Sequence, residues 1–129
     1  MKLLLDTHVL LWALLEPQKL SPELRDALEN SDNALVVSAA SAWEITTKWR
    51  LGKLPQARAV VENYALALHR LAAVDLPISA AVARQAGLWG VSHRDPFDRL
   101  LAAQASSDNL VLASTDPAFA QFEGVRILR

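Results

Sequence analysis

Lys2-Leu3-Leu4-Leu5-Asp6-Thr7-His8-Val9-Leu10-Leu11-Trp12-Ala13-Leu14-Leu15 is the stretch that decides the fold. Its first four residues are an apolar run of strand length, cut off by a carboxylate, and they read as a short buried strand. Thr7 to Leu15 is apolar nearly all round and short, which predicts a buried helix; Pro17 stops it. A buried strand followed at once by a buried helix is the opening of a sheet covered by helices.

The same alternation continues along the chain. Ser21-Pro22-Glu23 is a helix start, with Ser21 as N-cap and Pro22 at the first helical position. That helix runs to about Glu29, and Asn30 to Asn33 is a turn. Ala34 to Val37 is a second strand, and Ser41 to Leu51 a helix closed by Gly52. Gln56 to Arg70 predicts one helix with an apolar stripe of Val60, Tyr64, Ala67, Leu68 and Leu71. Ala72 to Leu76 is a third strand and Ser79 to Leu88 an alanine-rich helix. Trp89 to Arg94 is a loop, Asp95 to Ser106 a helix, and Leu110 to Ala113 a fourth strand. Pro117 to Phe122 is a short helix and Val125 to Leu128 a final strand. Short strands alternating with helices predict an α/β domain, a central parallel sheet of four to five strands flanked by helices. With 129 residues the chain suits a single domain over 1–129.

Composition narrows the function. Apolar residues make up 52% and charged residues 21%, enough for a core and unlike a disordered chain. Net charge is −1, so binding to a polyanion would need a local patch rather than the whole surface. There are no cysteines, which excludes disulfides and thiolate metal sites and fits a reducing cytoplasm. Asp6 and His8 interrupt the apolar start, so no signal peptide is expected, and no run of about 18 apolar residues suggests a membrane span.

Four carboxylates, Asp6, Glu44, Asp98 and Asp116, fall where segments change character. Each has an ordinary structural reading. Asp95-Pro96-Phe97-Asp98 suits a helix start with Asp95 as N-cap; Ser41 to Glu44 has capping-box spacing; Asp116-Pro117 repeats cap then proline. Capping alone would be served equally by Ser, Thr or Asn, and it does not explain why acids follow three strands on one side of the sheet. In a parallel sheet the carboxyl ends of the strands form the ligand crevice. Acids gathered there repel one another unless a cation intervenes. Oxygen ligands suit Mg²⁺ or Mn²⁺, which would activate a water against a phosphodiester.

The residues around each acid resemble those of the PIN domain, and specifically the VapC-type ribonuclease toxins. The matching segments are Leu4 to Trp12, Val37 to Ile45 continuing through Lys48 and Leu51 to Leu54, His93 to Ala105, and Leu112 to Asp116 with Phe119. The resemblance spans essentially the whole chain. It implies a Mg²⁺- or Mn²⁺-dependent endoribonuclease that cuts RNA, a VapB-type antitoxin that blocks the site, homodimerisation and a cytoplasmic location. Asp6, Glu44 and Asp98 carry over as the core catalytic and metal-binding acids, and Asp116 as a fourth, more peripheral one. Ser114 takes the place of a supporting Ser or Thr, and Thr7 follows the first acid.

Other residues are weighed singly. Asp95 is read first as an N-cap and second as support for the site. Lys48, His93, Arg94, Arg99 and Trp89 are candidate RNA contacts, the cations for phosphates and the indole for a base. Lys48 lies four residues past Glu44 and could equally balance it. Trp43, beside Glu44, is read as core, and Arg50 as solvated. Two other classes fit less well. An aspartate-nucleophile phosphatase would carry a second Asp two places after Asp6, where His8 stands. A phospho-receiver module would want adjacent acids after the first strand and a Lys after the last full strand, and has neither. An inactive binding protein on the same scaffold is the remaining alternative.

Overall fold

The computed structural model describes residues 1–129. Five strands, β1 (Lys2–Leu5), β2 (Ala34–Ser38), β3 (Ala73–Leu76), β4 (Val111–Ala113) and β5 (Arg126–Leu128), form one parallel sheet in the order β3-β2-β1-β4-β5. Seven α-helices cover it: α1 (Thr7–Leu15), α2 (Pro22–Glu29), α3 (Ala39–Arg50), α4 (Arg58–Glu62), α5 (Tyr64–Arg70), α6 (Ala80–Leu88) and α7 (Pro96–Ser107). The chain steps from β1 outward to β3, then returns to the other side of β1 for β4 and β5. The order therefore reverses at β1 and β4, which is where a parallel α/β sheet opens a crevice at its carboxyl edge.

Side-chain alternation explains why the strands are apolar throughout. Leu3 and Leu5, with Leu35, Val37, Val111 and Ala113, face one core with α1 and its neighbours. Leu4, Val36 and Leu112 face the other, with Leu101, Ala102 and Ala105 of α7 and with Phe119 and Phe122. A strand covered on both faces has no polar side. Leu3, Leu4 and Leu5 are fully buried, and burying each such side chain contributes roughly 1.5–3 kcal/mol.

Most element boundaries agree with the sequence reading, and two differ in ways that matter. The segment 56–70 is not one helix: α4 ends at Glu62, and Asn63 leaves helical geometry at φ −142° and ψ 64° before α5 begins. Asparagine competes with the helix for its own backbone groups, and an apolar stripe does not reveal that break. At α3 the cap is Ser38, whose Oγ accepts from the Ala40 amide, rather than Ser41. The helix thus starts directly off β2, and Ser41 is buried inside it. The positive φ of Gly52 (76°) after α3 is the left-handed closure expected of a glycine there. No helix is long and apolar enough to cross a membrane.

Candidate active site

Asp6 leaves β1 at the point where strand order reverses. Its amide donates to the Ala113 carbonyl of β4 (3.0 Å), and its carboxylate caps α1 by accepting from the Val9 amide (2.8 Å). The second carboxylate oxygen accepts a hydrogen bond from the Ser114 hydroxyl. Asp6 is buried, and Ser114 completely so. Burial pushes the Asp6 carboxyl above the usual carboxylate range, against the lowering effect of its hydrogen bonds. Ser114 Oγ also accepts from the Asp116 amide (3.1 Å), so one hydroxyl ties the first acid to the fourth.

Glu44 and Asp98 come from helices. Glu44 is in the second turn of α3 and buried; its Oε2 pairs with Lys48 Nζ one turn on, at 2.5 Å. Asp98 is in the first turn of α7. Because α7 leads into β4, running back along the sheet, its N-terminus lies at the same edge as the ends of β1 and β2. Asp95 caps that helix, accepting from the Phe97 amide (2.9 Å) and the Asp98 amide (3.3 Å). Asp98 Oδ2 lies 2.8 Å from His93 Nε2. Its carboxyl is pushed up to about 6, by burial first and then by the neighbouring charges of Asp95 and Glu44, with His93 opposing.

Glu44 and Asp98 thus sense one another across α3 and α7, while Asp6 is tied to Ser114. The link between the two groups is Thr7, whose hydroxyl donates to Ser41 Oγ of α3 (3.0 Å) rather than to a carboxylate. Asp116 stands apart: it is exposed and caps the short 3₁₀ turn Pro117–Gln121 through the Ala118 amide (2.9 Å). No three His, Cys, Asp or Glu side chains lie close enough together to hold a metal ion between them. Each inner acid is turned instead toward its own donor, Ser114, Lys48 or His93. The donor set itself fits a hard divalent cation, since it is all carboxylate and concentrates buried negative charge at one sheet edge.

Two candidate RNA contacts have other work. Arg99 points inward and donates to the carbonyls of Ala86 (2.8 Å), Val91 (3.1 Å), His93 (2.7 Å) and Trp89. It closes the end of α6 and shapes the loop that carries His93, so its guanidinium is not free for phosphate. Trp89 is half-buried, edge-on against Phe122 with ring centroids 5.1 Å apart. A tryptophan in a glycine-containing loop looks exposed in sequence; here the loop folds onto the core. Trp43 errs the other way, being 57% exposed rather than core. Arg94 is exposed beside His93, and Lys48 is committed to Glu44. Sequence reasoning gave Ser38 no role and read Ser41 as the cap, although a serine at the end of a strand was a visible signal.

A family model describes this arrangement as the PIN domain and matches residues 3–125. The chain belongs to the PIN domain family. PIN domains are in general nucleases. Solved structures with the same fold include a chain of VapBC2 from Rickettsia felis bound to a DNA fragment from their promoter. It has a TM-score of 0.73 and 17% identity over 99% of this chain and 98% of that one. DNA-bound VapBC from Salmonella typhimurium gives 0.69 and 21% over 99% and 97%. FitAcB from Neisseria gonorrhoeae gives 0.62 and 22% over 98% and 96%. At these identities the likeness is one of fold. No curated protein matches the chain closely enough to count as a relative.

Proposed function

We propose that this PIN domain is a divalent-metal-dependent endoribonuclease and the toxin of a VapBC-type pair. The observation that carries the reading is the buried Asp6 at the β1/β4 reversal, with Glu44 and Asp98 delivered to the same edge by α3 and α7. Capping alone accounts for Asp6 but not for the delivery of two further acids to the same edge.

In this reading Asp6, Glu44 and Asp98 hold Mg²⁺ or Mn²⁺ directly or through water, and Asp116 holds a second ion or orients the attacking water. When bound, the ion lowers the pKa of a water and polarises a phosphate oxygen. Ser114 holds the Asp6 carboxylate in place, and Asp95 fixes the first turn that carries Asp98. His93 Nε2 can hold or pass a proton at Asp98 Oδ2. Arg94 supplies positive charge for RNA phosphates, while Lys48 balances Glu44. The VapBC and FitAcB likenesses support a VapB-type antitoxin as partner. Homodimerisation and a cytoplasmic setting complete the proposal.

The test is cleavage of labelled RNA by purified protein. Activity should vanish in EDTA, return with Mg²⁺ or Mn²⁺, and be lost in Asp6→Asn. RNA cut equally well by Asp6→Asn, or in EDTA, would refute the assignment.

A further inference from the structure

Trp43 is the one aromatic among the exposed large hydrophobic side chains. It is not loose. Its ring meets Phe97 edge-on, with centroids 4.8 Å apart and planes at 76°. The pair bridges α3 and α7, and each ring sits one position before an acid of the site: Trp43 before Glu44, Phe97 before Asp98. Phe97 is half-buried and acts as the brace, while the indole presents the exposed surface. Covering Phe97 would need only an aliphatic side chain, which the chain uses at other exposed places such as Leu51 and Leu88.

The surroundings suit a nucleic-acid strand. Arg50 lies seven positions after Trp43, on the same face of α3 and about 10 Å along its axis. It is exposed and has no ion-pair partner. Arg94 is exposed on the loop that leads into α7. A fixed aromatic with an unpaired guanidinium further along the same helix face, next in sequence to Glu44, offers a stack for a base and charge for the adjoining phosphates.

We propose that the Trp43 indole, braced by Phe97, stacks on an unpaired base next to the RNA bond that is cut, and so positions single-stranded substrate. This rests on the endoribonuclease reading above. Trp43 is a positioning residue: it grips a neighbouring nucleotide and does not touch the reacting phosphate.

The experiment uses wild type, Trp43→Leu and Trp43→Phe with Mg²⁺ or Mn²⁺ on an RNA oligonucleotide containing a mapped cleavage site. A second set of oligonucleotides carries an abasic residue at each position flanking that site. Trp43→Leu should raise KM about tenfold or more, with kcat within about twofold, and Trp43→Phe should recover most of the loss. In wild type, one abasic position should impose a similar KM penalty, and that penalty should disappear in Trp43→Leu. Leucine still covers Phe97 but loses the edge-on aromatic contact, so the urea midpoint of Trp43→Leu should fall only slightly below wild type. An unchanged KM, or an abasic penalty that persists in Trp43→Leu, overturns the stacking site and leaves the indole to a protein partner. Wild type that cuts no RNA sinks the nuclease reading itself, and the stacking site with it.

Discussion

Asp6 is buried and Asp98 half-buried at one sheet edge, and Asp6 is held by the sheet while Asp98 is held by a loop and its own helix start. Asp6 follows β1 directly, its amide bonded to β4 and its carboxylate to Ser114, which follows β4. Asp98 takes its place from Asp95, His93 and, through the loop backbone, Arg99. The sheet half is built from backbone bonds and a fully buried hydroxyl. The helix half is built from charges that can be moved by pH, salt or mutation. The difference teaches that one acidic edge can combine a rigid anchor with a tunable partner.

The largest effect should come from the anchor. Asp6→Asn should lower RNA cleavage more than a hundredfold, beyond the 10–100-fold typical of residues that only support a ligand. Its stability near pH 7 should be no lower than that of wild type, because the charge that burial disfavours is gone. A urea titration beside the cleavage assay separates the two outcomes. If Asp6→Asn unfolds, the carboxylate is structural and the contrast collapses.

Arg99→Ala breaks the loop side. Four carbonyls lose their donor, and a loss of about 2–3 kcal/mol in urea unfolding is expected. Arg99→Lys should recover little of it, since an ammonium cannot present the planar fork that reaches several carbonyls at once. Full recovery by lysine would show that charge alone organises the loop.

A pH series sharpens the comparison further. The folded Asp98 carboxyl lies at about 6 against an ordinary 3.8, so the folded chain binds this proton more tightly than the unfolded chain. Its stabilising contribution is full below 3.8 and is lost as pH rises through about 6. Without added divalent metal, wild type should lose on the order of 2–3 kcal/mol relative to Asp98→Asn between pH 4 and pH 7.5. Parallel stability curves for the two proteins would contradict it.

The smallest effect belongs to Asp116, which is exposed and whose carboxylate is bonded only as a cap. Asp116→Ala should cost about 1 kcal/mol of stability and lower cleavage less than Asp6→Asn does. An equal loss of cleavage would place Asp116 among the inner acids.

Much of this was legible in advance because it is local. A strand buried on both faces must be apolar throughout, so Leu3 to Leu5, Leu35 to Val37 and Val111 to Ala113 announce themselves. Ser21-Pro22 and Asp95-Pro96 mark helix starts because the cap and the proline act within one turn. The acids were legible as a set because carboxylates recur after the strands that prove central. The break at Asn63, the shift of the α3 cap to Ser38 and the fates of Trp43, Trp89 and Arg99 were not legible. A tryptophan or arginine has the same local signature whether it faces water or a neighbouring loop, and only long-range packing chooses.

Sequence alone determined the alternation of strands and helices, the positions of the four acids and their order, since each depends on residues within a turn or a strand of one another. Tertiary structure decided the strand order β3-β2-β1-β4-β5 and so put Asp6 beside Ser114, residues 108 positions apart. It also gave Arg99 to the loop carbonyls and left Trp43 exposed, whereas the Lys48–Glu44 pair, one turn apart on α3, was open to the sequence. Those choices turn on which surfaces exclude water together, and that is a property of the assembled sheet and helices rather than of any one segment.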